Sequence, residues 1–210
     1  MVALRQALKP APETCSLSVF GALYEGEDTI VLLGPNEPGF WATFSSSPEY
    51  LDNTSDPLDR WSKRVIATLA QHWGGVAVFP SDGPPYPPFM RWALASGQAW
   101  QSPVGMLVHA RAGLMVSYRG AVRLRRKLTL EEPAQNPCDT CIAKPCLKAC
   151  PVAALDESQL YDVPKCKSHI SSAQGQNCLT GGCLTRRACP ISERYGRLPK
   201  QSAFHMRSFL

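Results

Sequence analysis

The sequence predicts an α+β chain: a small sheet-and-helix N-terminal domain over residues 1–130, then a loop-rich, cysteine-dense domain over residues 131–210. Three observations predict it. Short β-branched or aromatic runs alternate with helical apolar spacing in the first part, and eight of the nine cysteines crowd between Cys138 and Cys189. In addition, 19 prolines and 15 glycines push the 210 residues toward turns. An apolar fraction of 44% supports a genuine core and excludes a disordered tail. No apolar run reaches the roughly 20 residues a bilayer requires. The N-terminal MVALRQALKPAPE has neither the apolar stretch nor the cleavage site of a secretory signal, so a cytoplasmic location is expected.

Strands are expected at Thr29–Leu33, Gly75–Phe79, Gly105–His109 and Leu114–Tyr118, each a β-branched or aromatic run beside turn residues. The last two read as a hairpin whose connection, Ala110 to Gly113, ends in a glycine able to take a positive φ. Trp61, Val65, Ile66, Leu69 and Ala70 recur at helical spacing, with Asp56 or Asp59 as the cap. A second helix is expected from Pro88 to Ser96, stopped by Gly97. Val122 to Lys127 alternates apolar with basic residues, which suits an exposed edge or a strand leading into the next domain.

The cysteines carry the chemistry. In order they read Cys138-x2-Cys141-x4-Cys146-x3-Cys150-Pro151, then Cys166, then Cys178-x4-Cys183-x5-Cys189-Pro190. KPCLKACP and GGCLTRRACP both end Ala-Cys-Pro, which suggests an internal duplication. Soft thiolates suit iron-sulfur clusters, and in two-cluster ferredoxins the cysteine before the proline ligates the other cluster. Applied here, that rule gives one [4Fe-4S] cluster to Cys138, Cys141, Cys146 and Cys189 and a second to Cys150, Cys166, Cys178 and Cys183. Two structural zinc sites are the rival, although only Cys138 and Cys141 show the knuckle spacing zinc prefers. Disulfides fit poorly with nine cysteines and no export signal. Cys15 stands alone.

Charge divides with the cysteines. Residues 1–118 hold a net −3 and residues 119–210 a net +8, which add to the chain's +5. The excess, including Lys144, Lys148, Arg186 and Arg187, either balances two anionic clusters or forms a partner surface, and the segment 119–127 is open to both readings.

This order of cysteines resembles the cluster domain of the epoxyqueuosine reductases, cobalamin-dependent iron-sulfur enzymes. Upstream, FPSDGPPYPPFMRWALASGQAW at 79–100 is similar to that family's Asp-x-x-Pro segment, so the resemblance spans roughly Trp61 to Pro190. It implies Asp82 as a proton donor beside a corrin, although a turn or cap aspartate reads as well there. Trp92, Trp100 and Tyr118 would line a cobalamin or flavin-like cofactor or pack in the core. The family's helical repeat region, which helps hold transfer RNA, has no counterpart in the 21 residues after Cys189, so a transfer RNA partner is not expected.

The reading is therefore an iron-sulfur redox protein that takes electrons from an external donor and passes them to a cofactor or substrate at the N-terminal domain. The alternative is a non-catalytic ferredoxin-like carrier that docks a partner enzyme. Amides near Gly175, Gly181 and Gly182 are candidate donors to cluster sulfur, or plain turn formers. His109 and His169 are candidate ligands or proton donors, with hydrogen-bonding roles the blander option. His205 and Met206 have no haem context.

Overall fold

The computed structural model describes residues 2–155 and 161–210. The chain falls into two units: Met1–Gln98 with Ser117–Ala134, and Ala99–Val116 with Gln135–Leu210. The stretch 99–116 thus groups with the cysteines, a partition that no single cut along the chain produces. It is an α+β protein with a small antiparallel sheet.

In chain order the strands are β1 (Leu17–Glu25), β2 (Asp28–Pro35), β3 (Val76–Val78), β4 (Ala99–Gln101), β5 (Leu107–His109) and β6 (Gly120–Leu124). The first unit holds a four-stranded antiparallel sheet in the order β1-β2-β6-β3. Strand β1 escapes the sequence reading because LSVFGALYE is buried almost continuously, without the alternation that marks a half-exposed strand. Of the two readings of Val122–Lys127, the exposed edge is corrected and the strand holds over Val122–Leu124: β6 lies inside the sheet, bonded to β2 on one side and β3 on the other. Its basic residue needs no solvent edge, since Arg123 donates to Glu25 and, at 3.1 Å, to Asp28.

Helix α1 (Pro57–Trp73) buries Trp61, Val65, Ile66, Leu69 and Trp73, the apolar stripe its spacing predicts. Asp56 does occupy the N-cap position, but in a left-handed conformation with no side-chain cap bond; Pro57 at N1 sets the first turn. Helix α2 (Phe89–Ala95) ends before Gly97, whose φ of +65° closes the turn. Two apolar groups make the core. Leu23, Ile30, Leu32, Phe89, Trp92 and Ala121 form one. Phe40, Phe44 and Trp61 form the other, with Phe40 and Trp61 edge-to-face at 5.3 Å.

The second unit contains little regular structure. The short ribbon β4-β5 is joined by α3 (Val163–Ile170), α4 (Gln176–Gly181) and α5 (Pro199–Phe209). Asp162 caps α3 by accepting the Lys165 N–H at 2.9 Å. Leu114–Tyr118, expected as the hairpin partner of β5, is not a strand; β5 pairs with β4 instead. The reason is visible in its hydrogen bonds, several of which go to side chains. The Leu114 N–H donates to Ser192 Oγ at 2.8 Å, the Leu114 carbonyl accepts from Arg186, and the Met115 carbonyl accepts from Arg197 at 3.1 Å. The turn before it behaves as expected: His109 and Gly113 exchange backbone bonds and Gly113 sits at φ +55°.

No helix among the described residues is long and apolar enough to cross a membrane.

Candidate metal centres

Both cysteine sets lie in the second unit, and each walls its own cavity. The first, of about 270 Å³, is lined by Cys138, Cys141, Cys146 and Cys189, closed on its apolar side by Val108 and Leu114. The second, of about 20 Å³, is lined by Cys150, Cys166, Cys178 and Cys183, with Leu155, Ile170 and Met206 around them. Three cysteines of the leading block thus meet the last cysteine of the chain, and the proline-flanked Cys150 joins the later three. None of the eight forms a disulfide.

Local structure explains how each sulfur is aimed. Cys138 follows Asn136, whose Oδ1 accepts the Cys138 N–H at 3.1 Å and turns the chain inward. Lys144 takes a left-handed conformation ahead of the Pro145–Lys148 turn that carries Cys146. Cys189 sits at the N-cap of the Pro190–Arg194 turn, and Pro190 fixes the bend. Gly113 makes room for it: a Cβ there would stand 3.0 Å from Cys189 Sγ and 2.5 Å from the Ser192 nitrogen. Sequence reasoning missed Leu114 as part of this wall and Ser192 as the acceptor that holds its N–H. The only signal was the positive-φ glycine.

Cysteine burial is costly for an ionised thiol. Burial, then neighbouring Cys146, Cys189 and Cys141, pushes the Cys138 thiol up to about 11. Burial raises Cys146, Cys166 and Cys178 as well. Hydrogen bonds reach two of the sulfurs. The Ala154 N–H donates to Cys150 Sγ at 3.2 Å, and a bond from Tyr161 pulls Cys166 partly back. Two of the expected glycine amides are engaged elsewhere: Gly175 N–H goes to the Ser172 carbonyl and Gly182 N–H to the Cys178 carbonyl.

The structure distributes the remaining candidates. Asp82 is exposed, and its carboxylate accepts the Phe79 N–H at 2.8 Å while its own N–H donates to the Phe79 carbonyl, a turn-forming arrangement. Trp92 is buried in the first unit's core with its indole N–H on Glu25 at 3.0 Å. Tyr118 packs against the same core. It also lines a cavity of about 320 Å³ with Lys63, Phe79 and Arg119. Trp100 belongs to the second unit, packed beside Cys146 and Cys189. Neither unit by itself gathers the three aromatics into one site. His109 is buried, its Nδ1 accepting from the Arg111 and Ala112 amides, so it shapes the turn. His169 and Met206 line the second cavity, whereas the His205 ring packs on Phe204. Cys15 lies in the first unit, half-buried in the Pro12–Cys15 turn.

Among the described residues no three His, Cys, Asp or Glu side chains converge closely enough to hold a single ion.

The epoxyqueuosine reductase of Gloeobacter violaceus (strain ATCC 29082 / PCC 7421) is 30% identical to this chain over 128 residues. The match covers 54% of this chain and 39% of that protein, so the chain spans well under half the length of the curated relative it matches. That similarity supports a distant relationship to that protein. No family model matches the chain, and no solved structure does.

Proposed function

We propose that this chain is an iron-sulfur redox protein that holds two [4Fe-4S] clusters. Cys138, Cys141, Cys146 and Cys189 would bind one, and Cys150, Cys166, Cys178 and Cys183 the other. One observation carries the proposal: eight cysteines divide into two cavities of four, each drawing one ligand from the opposite block. The donor set fits the group. Soft thiolates in two sets of four suit iron-sulfur clusters, whereas only Cys138 and Cys141 show the paired spacing that structural zinc sites favour. When bound, such clusters supply one-electron storage and transfer. The chain's own residues supply aim, burial and hydrogen bonds to sulfur, of which Ala154 N–H to Cys150 is the clearest.

The relative's name and the sequence resemblance extend the proposal to a reductase whose first unit binds the electron acceptor, with cobalamin the candidate cofactor. No corrin step is assigned to particular residues, because Trp92 serves the first unit's core and Trp100 belongs to the other unit. Asp82 forms a turn in the resting chain. Reductive titration of the anaerobic protein tests the reading. Roughly two electron equivalents per chain are expected, and no uptake contradicts it. Cobalamin added to the reduced protein should shift the visible spectrum; an unchanged spectrum favours the carrier alternative. Asp82→Asn should slow turnover with cluster content unchanged if Asp82 donates a proton.

A further inference from the structure

We propose that the loop between Cys141 and Cys146 is the docking surface for an acidic one-electron carrier protein, with Ile142 as apolar anchor and Lys144 and Arg194 as its charged surround. The inference rests on the cluster reading above.

Ile142 is 97% exposed, more than any other large apolar side chain among the described residues. Isolated exposed apolar residues are ordinary, so position decides the matter. Ile142 stands one residue after Cys141, which lines the larger cavity, and two residues before Lys144, which lines it too. The tip is held in place. Its N–H donates to the Thr140 carbonyl at 3.2 Å, the Leu147 N–H donates to the Lys144 carbonyl at 3.1 Å, and the cysteines on both sides face the cavity. A fixed, solvated aliphatic knob loses little conformational entropy when a partner covers it.

Charge specifies the partner. The first unit pairs its charges, as in Arg60 with Asp52, Arg64 with Glu49 and Arg123 with Glu25. The second unit holds 11 Lys and Arg against 5 Asp and Glu, and Lys144, Lys148 and Arg194 are exposed with no carboxylate partner among the described residues. Lys144 and Arg194 flank the first cavity, so their charge surrounds the place where an electron would enter. A complementary acidic face is steered there by long-range attraction. A nucleic acid fits less well. No aromatic side chain lines that cavity to stack on a base, and an exposed isoleucine suits a small apolar pocket on a protein. On docking, the carrier is oxidised by one electron and this chain is reduced by one, with no proton or group transferred.

The test uses oxidised flavodoxin, an acidic carrier, as the probe and measures its equilibrium affinity for the anaerobically purified chain. Binding should weaken severalfold as salt rises. Ile142→Asp and Lys144→Glu should each weaken it about tenfold, while Lys165→Glu, the same charge change at another exposed position, should change it by less than about twofold. Iron, sulfide and circular dichroism of Ile142→Asp and Lys165→Glu should match the parent. Unchanged affinity in Ile142→Asp overturns the proposal, as does equal weakening by Lys165→Glu. So does a single-stranded oligonucleotide that binds more tightly than flavodoxin and loses affinity in Ile142→Asp. Iron-free protein that still binds flavodoxin through Ile142 would sink the cluster reading and leave the surface standing.

Discussion

The two units solve the problem of staying folded with different materials. The first buries an aromatic group around Phe40, Phe44 and Trp61 beneath a four-stranded sheet, and pairs its charges: Arg60 bonds Asp52 with two nitrogens at 2.7 and 2.8 Å, and Arg64 bonds Glu49. The second has a short two-stranded ribbon, short helices and an apolar group in which Cys146 and Cys189 are themselves buried members. Where hydrocarbon is scarce, sulfur occupies the interior. What the thiols hold should therefore decide whether the second unit folds, whereas the first should be indifferent to it.

Removing the proposed clusters breaks the comparison most directly. Chelation under acid or oxygen should open residues 99–116 and 135–210 to hydrogen exchange while the β1-β2-β6-β3 sheet stays protected, a contrast readable peptide by peptide. Equal protection in both units would refute the division of labour. The next effect is on stoichiometry. Cys189→Ser removes the ligand that crosses from the later block, so iron should fall from about eight to about four per chain, and signals from the loop at Cys138–Cys146 should broaden. Gly113→Ala should produce a partial version of the same loss, since its Cβ would press on Ser192 and Cys189.

Trp61→Ala reverses the test. It should destabilise the first unit by about 3–5 kcal/mol, lowering its unfolding midpoint with iron content unchanged, as circular dichroism beside iron analysis would show. The smallest effect concerns charge. A hydrogen bond from Arg64 leads the causes that hold the Glu49 carboxyl down, from its usual 4.5 to about 2. A depressed folded-state value contributes stability that is complete above the ordinary carboxyl range and is lost as pH falls through it toward 2. Glu49→Gln should cost the first unit roughly 1 kcal/mol at neutral pH. The gap between the two proteins, followed by near-ultraviolet dichroism of the aromatic group, should close on acidification.

Much of this architecture is legible in the amino-acid sequence. Helix α1 is marked by apolar residues that recur at 3.6-residue spacing, and the cysteine pairing follows from two Cys-Pro endings. What escapes are features in which tertiary contacts outvote local pattern. Strand β1 lacks alternation because both its faces are largely covered. Leu114–Tyr118 reads as a strand because its side chains suit one, yet Ser192, Arg186 and Arg197, some 70 to 80 residues away, take its backbone bonds. Val122–Lys127 looks like an edge because Arg123 is charged, and Glu25 and Asp28 neutralise that charge inside the sheet. Long-range partners of this kind leave no mark in a local window.

The measurement that bears most directly on the account is the iron and acid-labile sulfide content of protein purified without oxygen, read together with its metal spectrum. About eight iron and eight sulfide per chain, with the absorption of four-iron centres, is the predicted result. Two zinc ions per chain with no sulfide, each bound by four sulfurs, would contradict it.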